Sequence, residues 1–234
     1  MTMRKRIAAA KKLILALDVK TLAEARMIVA DLSRVVSVFK IGPVLFTAYG
    51  PKVVEMVRKK GADVFLDLKF HDIPNTVANA VRQATRLKVK MLTMHTSGGE
   101  EMLMRAAGAA KEEAAKLKIK KPILLGITVL TSDKSAKNTA IDVVRKARMA
   151  KKAGLDGVVC STHEAKAVRK ACGQRFFIVT PGIRPKGAGA SDQKRVATAK
   201  DAIFAGADYV VVGRPILEAN DRLQAARDII KEMQ

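Results

Sequence analysis

The chain has 234 residues, 49% of them hydrophobic, which suffices for a sizeable core in one or two domains. Its 44 Lys and Arg against 22 Asp and Glu give a formal charge of +22. Two cysteines in a chain of this size exclude a disulfide framework, no apolar stretch is long enough to span a membrane, and no linker or low-complexity block divides the sequence.

The opening "MTMRKRIAAAKKLILALDVK" places basic residues before apolar ones, as a signal peptide does. Lys11 and Lys12 interrupt the apolar stretch, "LILAL" is too short for an h-region, and Asp18 follows at once. A first strand, "KLILALDV" (12–19), is the better reading, and a cytoplasmic location is expected. "TLAEARMIVADLSRVV" follows, with Leu22, Ala25, Ile28, Val29 and Leu32 at helical spacing. The next strands are "SVFKIG" (37–42), "DVFLDLKF" (63–70) and "VKMLTMHT" (89–96). The helix former-rich "EEMLMRAAGAAKEEAAKLK" leads to "PILLGITVL" (122–130), and "NTAIDVVRKARMAKKAG" to "LDGVVCST" (155–162). "RFFIVTPG" (175–182) and "DYVVVGR" (208–214) complete the strands, and "PILEANDRLQAARDIIKEM" reads as one last helix with Pro215 at its start.

Eight strands, each followed by a helix, predict a parallel sheet, and in this length a single closed (β/α)₈ TIM barrel over residues 1–234. "KKGADVFLDLK", "KKAGLDGVVCS" and "FAGADYVVVGR" repeat one pattern of helix end, Gly, Asp and apolar strand, which supports closure. An open doubly wound sheet is the alternative, but the Gly-rich fingerprint is missing after the first strand.

A barrel of this kind carries its active site at the C-terminal ends of its strands. Those ends supply Asp18, Lys40, Asp67 and Lys69, with Asp72 just beyond, then His95, Thr131 and Ser132, and finally Gly213 and Arg214. Asp67 and Lys69 are two apart, so strand period turns both to one side while Leu66 and Leu68 face the helices. A Lys among carboxylates suits a proton donor better than a Schiff-base nucleophile. "TPGIRPKGAGASDQ" resembles an anion site: Gly182, Gly187 and Gly189 permit close backbone approach, and Ser191 or Asp192 is placed to cap the following helix. Arg214 adds a forked donor set. The three histidines, His71, His95 and His163, lack metal-ligand spacing, and Cys160 reads as a buried free thiol.

The charge also admits a nucleic-acid-binding barrel. The basic residues are scattered over many helical segments and aromatics are only 4%, so a basic surface on an enzyme is the preferred reading and no specific nucleic acid is expected.

"DLKFHDIPNTV" resembles the signature of the orotidine 5′-monophosphate decarboxylase family, and "LALDV", "FKIG", "TVLTS", "GLDGVVCS", "TPGIRP", "SDQKRV" and "DYVVVGRPI" occur in that family's order over nearly the whole chain. The resemblance implies a carboxy-lyase needing neither metal nor cofactor, which makes uridine 5′-monophosphate in pyrimidine biosynthesis as a homodimer with shared sites. It makes Lys69 the acid that protonates C6, puts Asp67 beside the substrate carboxylate, and sends Asp72 and Thr76 to the other subunit's site. It further implies ribose contacts at Asp18 and Lys40, pyrimidine contacts at Thr131 and Pro181, and a phosphate gripper of Arg184, Gln193, Gly213 and Arg214. The segment "DKSAKNTAIDVV" is shorter and more Lys-bearing than in many members. A 3-keto-L-gulonate 6-phosphate decarboxylase, which is magnesium-dependent, shares the D-x-K-x-x-D pattern, but "FHDIPNT", "TPGIR" and "DQ" favour the first reading.

Overall fold

The computed structural model describes residues 9–129, 139–184 and 197–234. All eight expected strands form: β1 (Leu13–Ala16), β2 (Val38–Ile41), β3 (Asp63–Phe70), β4 (Met91–His95), β5 (Ile123–Ile127), β6 (Gly157–Val159), β7 (Phe177–Thr180) and β8 (Tyr209–Val212). They pair in parallel in chain order, and β8 closes on β1 through Ile14 opposite Val211. Closure decides against the open sheet. Most strands are shorter than their apolar runs, because the polar residues at the run ends leave the ladder to form the rims of the barrel.

The two-residue strand period separates two cores. Ile14, Ala16, Val38, Phe65, Met91, Leu125, Val179, Tyr209 and Val211 fill the barrel interior. Their neighbours Leu13, Leu15, Phe39, Leu66, Leu92, Leu124 and Ile178 point outward and are buried under the helices, together with Ile28, Val57, Val81 and Leu103. Gly157 is needed where β6 meets β7, since a Cβ there would come within 2.3 Å of the Phe177 carbonyl oxygen.

One helical expectation changes. The last helix is divided into Arg214–Leu217 and Arg222–Glu232. Asp221 caps the second piece, its side chain accepting the Gln224 N–H at 2.9 Å, and Arg222 donates to the Leu217 carbonyl at the break. The break leaves Glu218 at the barrel rim. Between β7 and β8, the helix Ala199–Phe204 is capped by Thr198, whose Oγ1 accepts the Asp201 N–H at 3.1 Å. Ser191 and Asp192, the expected caps, lie outside the described residues.

Candidate active site

β3 builds the centre of the site. Phe65 and Asp67 point into the barrel, while Leu66 and Leu68 join the outer core. Plain alternation would carry an ordinary strand through Lys69. Instead the pairing with β4 shifts between Leu66 and Phe70, and Lys69 adopts φ 52°, in the left-handed region that costs a side-chain-bearing residue about 1 kcal/mol. Lys69 thus reaches the expected side of the strand through a kink.

Thr93, in the apolar β4, holds the kink. Its Oγ1 accepts the Lys69 backbone N–H at 2.9 Å and donates to Asp67 Oδ1 at 2.9 Å. Asp67 Oδ2 lies 2.8 Å from Lys69 Nζ and 3.6 Å from Lys40 Nζ, and Lys40 Nζ lies 3.3 Å from Asp18 Oδ1. The result is an alternating row of Asp18, Lys40, Asp67 and Lys69. Burial is the largest influence on Asp67 and opposes its ionisation. The nearby Lys40 and Lys69, with the hydrogen bonds from Lys69 and Thr93, outweigh it and hold the carboxyl below its ordinary pKa. Asp67 is therefore a buried, fully ligated carboxylate.

The row opens into a cavity of about 460 Å³ at the C-terminal ends of the strands, a size suited to a small-molecule ligand. Apolar side chains line its middle, among them Ile127, Val129, Val159 and Val211. Arg184, Arg214 and Glu218 line it away from β3. Arg184 is buried, and its guanidinium pKa is lowered by that burial and by Arg214, while Glu218 opposes the shift. Two arginines beside one carboxylate form an end suited to an anion.

Of the residues expected from sequence, Asp18, Lys40, Asp67, Lys69, Pro181, Arg184, Gly213 and Arg214 all line this cavity. Asp72 and Thr76 do not: both are exposed, and Asp72 Oδ1 accepts the Ile73 N–H at 2.7 Å. Thr131, Gln193, the glycines Gly187 and Gly189, and the first half of the "DKSAKNTAIDVV" segment lie outside the described residues. Thr93 and Glu218 escaped the sequence reading. The only hint of Thr93 was one hydroxyl in an apolar strand, and Glu218 was hidden in what looked like a continuous helix.

His95 faces His71, with ring centroids 5.4 Å apart. Burial first, then His71 and Lys69, lower its pKa. Among the described residues no group of three His, Cys, Asp or Glu side chains is arranged to hold a metal ion. Cys160 and Cys172 are free and buried, and burial pushes the Cys160 thiol up. No helix among the described residues is long and apolar enough to cross a membrane.

Comparison with known proteins agrees with this geometry. The model of the "Orotidine 5'-phosphate decarboxylase / HUMPS family" matches residues 11–229. An orotidine 5′-phosphate decarboxylase of Moorella thermoacetica is 48% identical, covering 98% of this chain and 94% of its own. That of Syntrophotalea carbinolica is 49% identical, over 97% of this chain and 96% of its own. A crystal structure of orotidine 5′-phosphate decarboxylase from Lactobacillus acidophilus superposes with a TM-score of 0.82 at 34% identity, covering 96% of this chain and 99% of that one.

Proposed function

The chain belongs to the orotidine 5′-phosphate decarboxylase / HUMPS family, and from that membership we propose how its cavity works. The protein is a carboxy-lyase that converts orotidine 5′-monophosphate to uridine 5′-monophosphate in pyrimidine biosynthesis. The observation that carries the mechanism is the Lys69 ammonium, fixed 2.8 Å from a buried Asp67 carboxylate and aimed into a cavity whose far wall holds two arginines.

Arg184, Arg214 and the backbone at Gly213 receive the phosphate, with Gln193 as a further donor. Asp18 and Lys40 receive the ribose hydroxyls. Pro181 and Thr131 flank the pyrimidine. This pose sets the substrate carboxylate beside Asp67 and C6 before Lys69. Breaking the bond to the carboxylate carbon leaves its electron pair on C6, in the ring plane, where the ring delocalises it poorly. A preorganised ammonium stabilises that charge as it develops. Lys69 then transfers its proton to C6, and the released carbon dioxide removes a negative charge from the neighbourhood of Asp67. Binding energy at the distant phosphate holds the reacting end in place.

The active enzyme is a homodimer of one-domain barrels, in the cytoplasm. Asp72 and Thr76, absent from their own cavity, complete the site of the other subunit. The exposed Ile73 beside Asp72, at 67% exposure, suits a contact with that subunit. The reaction uses no metal or cofactor.

The test is the fall in ultraviolet absorbance as orotidine 5′-monophosphate is consumed, with and without chelator. Turnover that survives the chelator supports this mechanism. Turnover lost with chelator would overturn the metal-free step and favour the magnesium-dependent sugar-phosphate reading.

A further inference from the structure

The fold gathers what the sequence scatters. Each helix of a (β/α)₈ barrel ends near the start of the next strand, on the face opposite the active site. The basic residues that close these helices, dispersed along the chain, therefore meet on one surface. Lys60, Lys88, Lys118, Lys120 and Arg175 all lie in the segments leading into β3, β4, β5 and β7, and all are exposed. Among the described residues none of them has a carboxylate within ion-pairing distance. The acids that open strands here are engaged elsewhere: Asp63 with Lys90, Asp156 with Lys121 and Asp208 with Arg169. Asp31 and Glu232 lie on helices flanking β1, outside this arc.

Two of these lysines occupy backbone positions that favour glycine. Four helices hand over to β3, β6, β7 and β8 through Gly61, Gly154, Gly173 and Gly206, all with positive φ. At the same turns before β4 and β5 stand Lys88 (φ 56°) and Lys118 (φ 53°). A charged side chain is kept there against a local strain that glycine would relieve. The helix C-terminal dipole favours a cation, but a cation within the last turn satisfies it without strain.

On the same face, Phe204 ends the helix before β8 and is 94% exposed. An aromatic ring this open, on the face that carries these cations and one turn along the barrel from Arg175, fits a stacking platform. These charges do not serve the substrate. β3 alone is eight residues, about 26 Å of extended chain, so charges at its start lie too far from the mouth to contact a ligand there.

We propose that this basal face binds single-stranded nucleic acid without sequence preference, its lysines and Arg175 contacting phosphates and Phe204 stacking on a base. Lys88 and Lys118 hold phosphates from adjacent turns, and the site is independent of the catalytic cavity. The scarcity of aromatics is no obstacle, since backbone-directed binding needs few of them.

The test is fluorescence anisotropy of a labelled oligouridylate of roughly twenty nucleotides, titrated with the full chain while saturating uridine 5′-monophosphate occupies the catalytic cavity. The double variant Lys88→Gly and Lys118→Gly removes two charges and relieves both strained turns, so misfolding does not confound it. The proposal expects its log K against log salt slope to be shallower by about 1.4, two single-strand phosphate contacts. Phe204→Ala should weaken binding roughly fivefold or more with the slope unchanged, and decarboxylation should be unaffected in both. Absence of binding at about 50 mM salt, identical binding by all three proteins, or complete displacement of the oligonucleotide by uridine 5′-monophosphate would overturn it.

Discussion

Thr93→Val is the most informative single change, because one hydroxyl holds both Asp67 and Lys69. Valine matches threonine in shape, so no cavity opens. The substitution removes the 2.9 Å bond to the Asp67 carboxylate and leaves the Lys69 N–H, in its left-handed kink, without its acceptor. A hydrogen bond to a charged group contributes about 1.5–3 kcal/mol, and an abandoned donor in a partly buried site costs about 1–3 kcal/mol. Together they predict a loss of roughly 3–5 kcal/mol, or a fall in Tm of about 10 °C for a chain of this size. Catalysis should suffer separately. A lysine displaced by about 1 Å from a reacting carbon loses on the order of 100-fold, and this loss should appear in kcat more than in KM, since Thr93 is absent from the cavity wall. Thermal denaturation and steady-state decarboxylation, measured on the same preparation, check both. A variant with parental Tm and kcat would refute the role given to the kink.

Two further outcomes follow from the same geometry. The Asp67 carboxyl is held below its ordinary pKa, so its ionised form stabilises the fold. That contribution is complete above the unfolded value of about 3.9 and is lost as pH falls through the lower native value. The Tm gap between the parent and Asp67→Asn should therefore be widest near neutrality and narrow in acid; a gap independent of pH would contradict the assignment. Inactive Lys69→Ala and inactive Asp72→Asn subunits, mixed under conditions that exchange chains, should regenerate some active sites. If heterodimers form and no activity returns, Asp72 does not act across the interface.

The sequence was most legible where one simple period governs the chain. Eight apolar runs separated by helical stretches left few topologies open, and strand alternation foretold that Asp67 and Lys69 share one side of β3. It was least legible where tertiary contacts override that period. Nothing local foretells that Lys69 sits at φ 52°, because the bulge is set by Thr93 on a neighbouring strand. Glu218 lay in a stretch read as one helix, and the Asn220–Asp221 pair within it is where the second helix is capped and begins. The basal lysines show the same limit. Their separation along the chain argued against a shared surface, yet the barrel brings the ends of successive helices to one face.

The measurement that tests the mechanism most directly is turnover of orotidine 5′-monophosphate by Lys69→Ala, followed by absorbance alongside its thermal denaturation. In the proposed mechanism Lys69 carries the proton that replaces the carboxylate; in its absence Lys40 remains to neutralise Asp67 at 3.6 Å. The variant should fold cooperatively, bind uridine 5′-monophosphate and show no measurable decarboxylation. A folded Lys69→Ala protein with near-parental kcat would contradict the assignment of Lys69 as the catalytic acid.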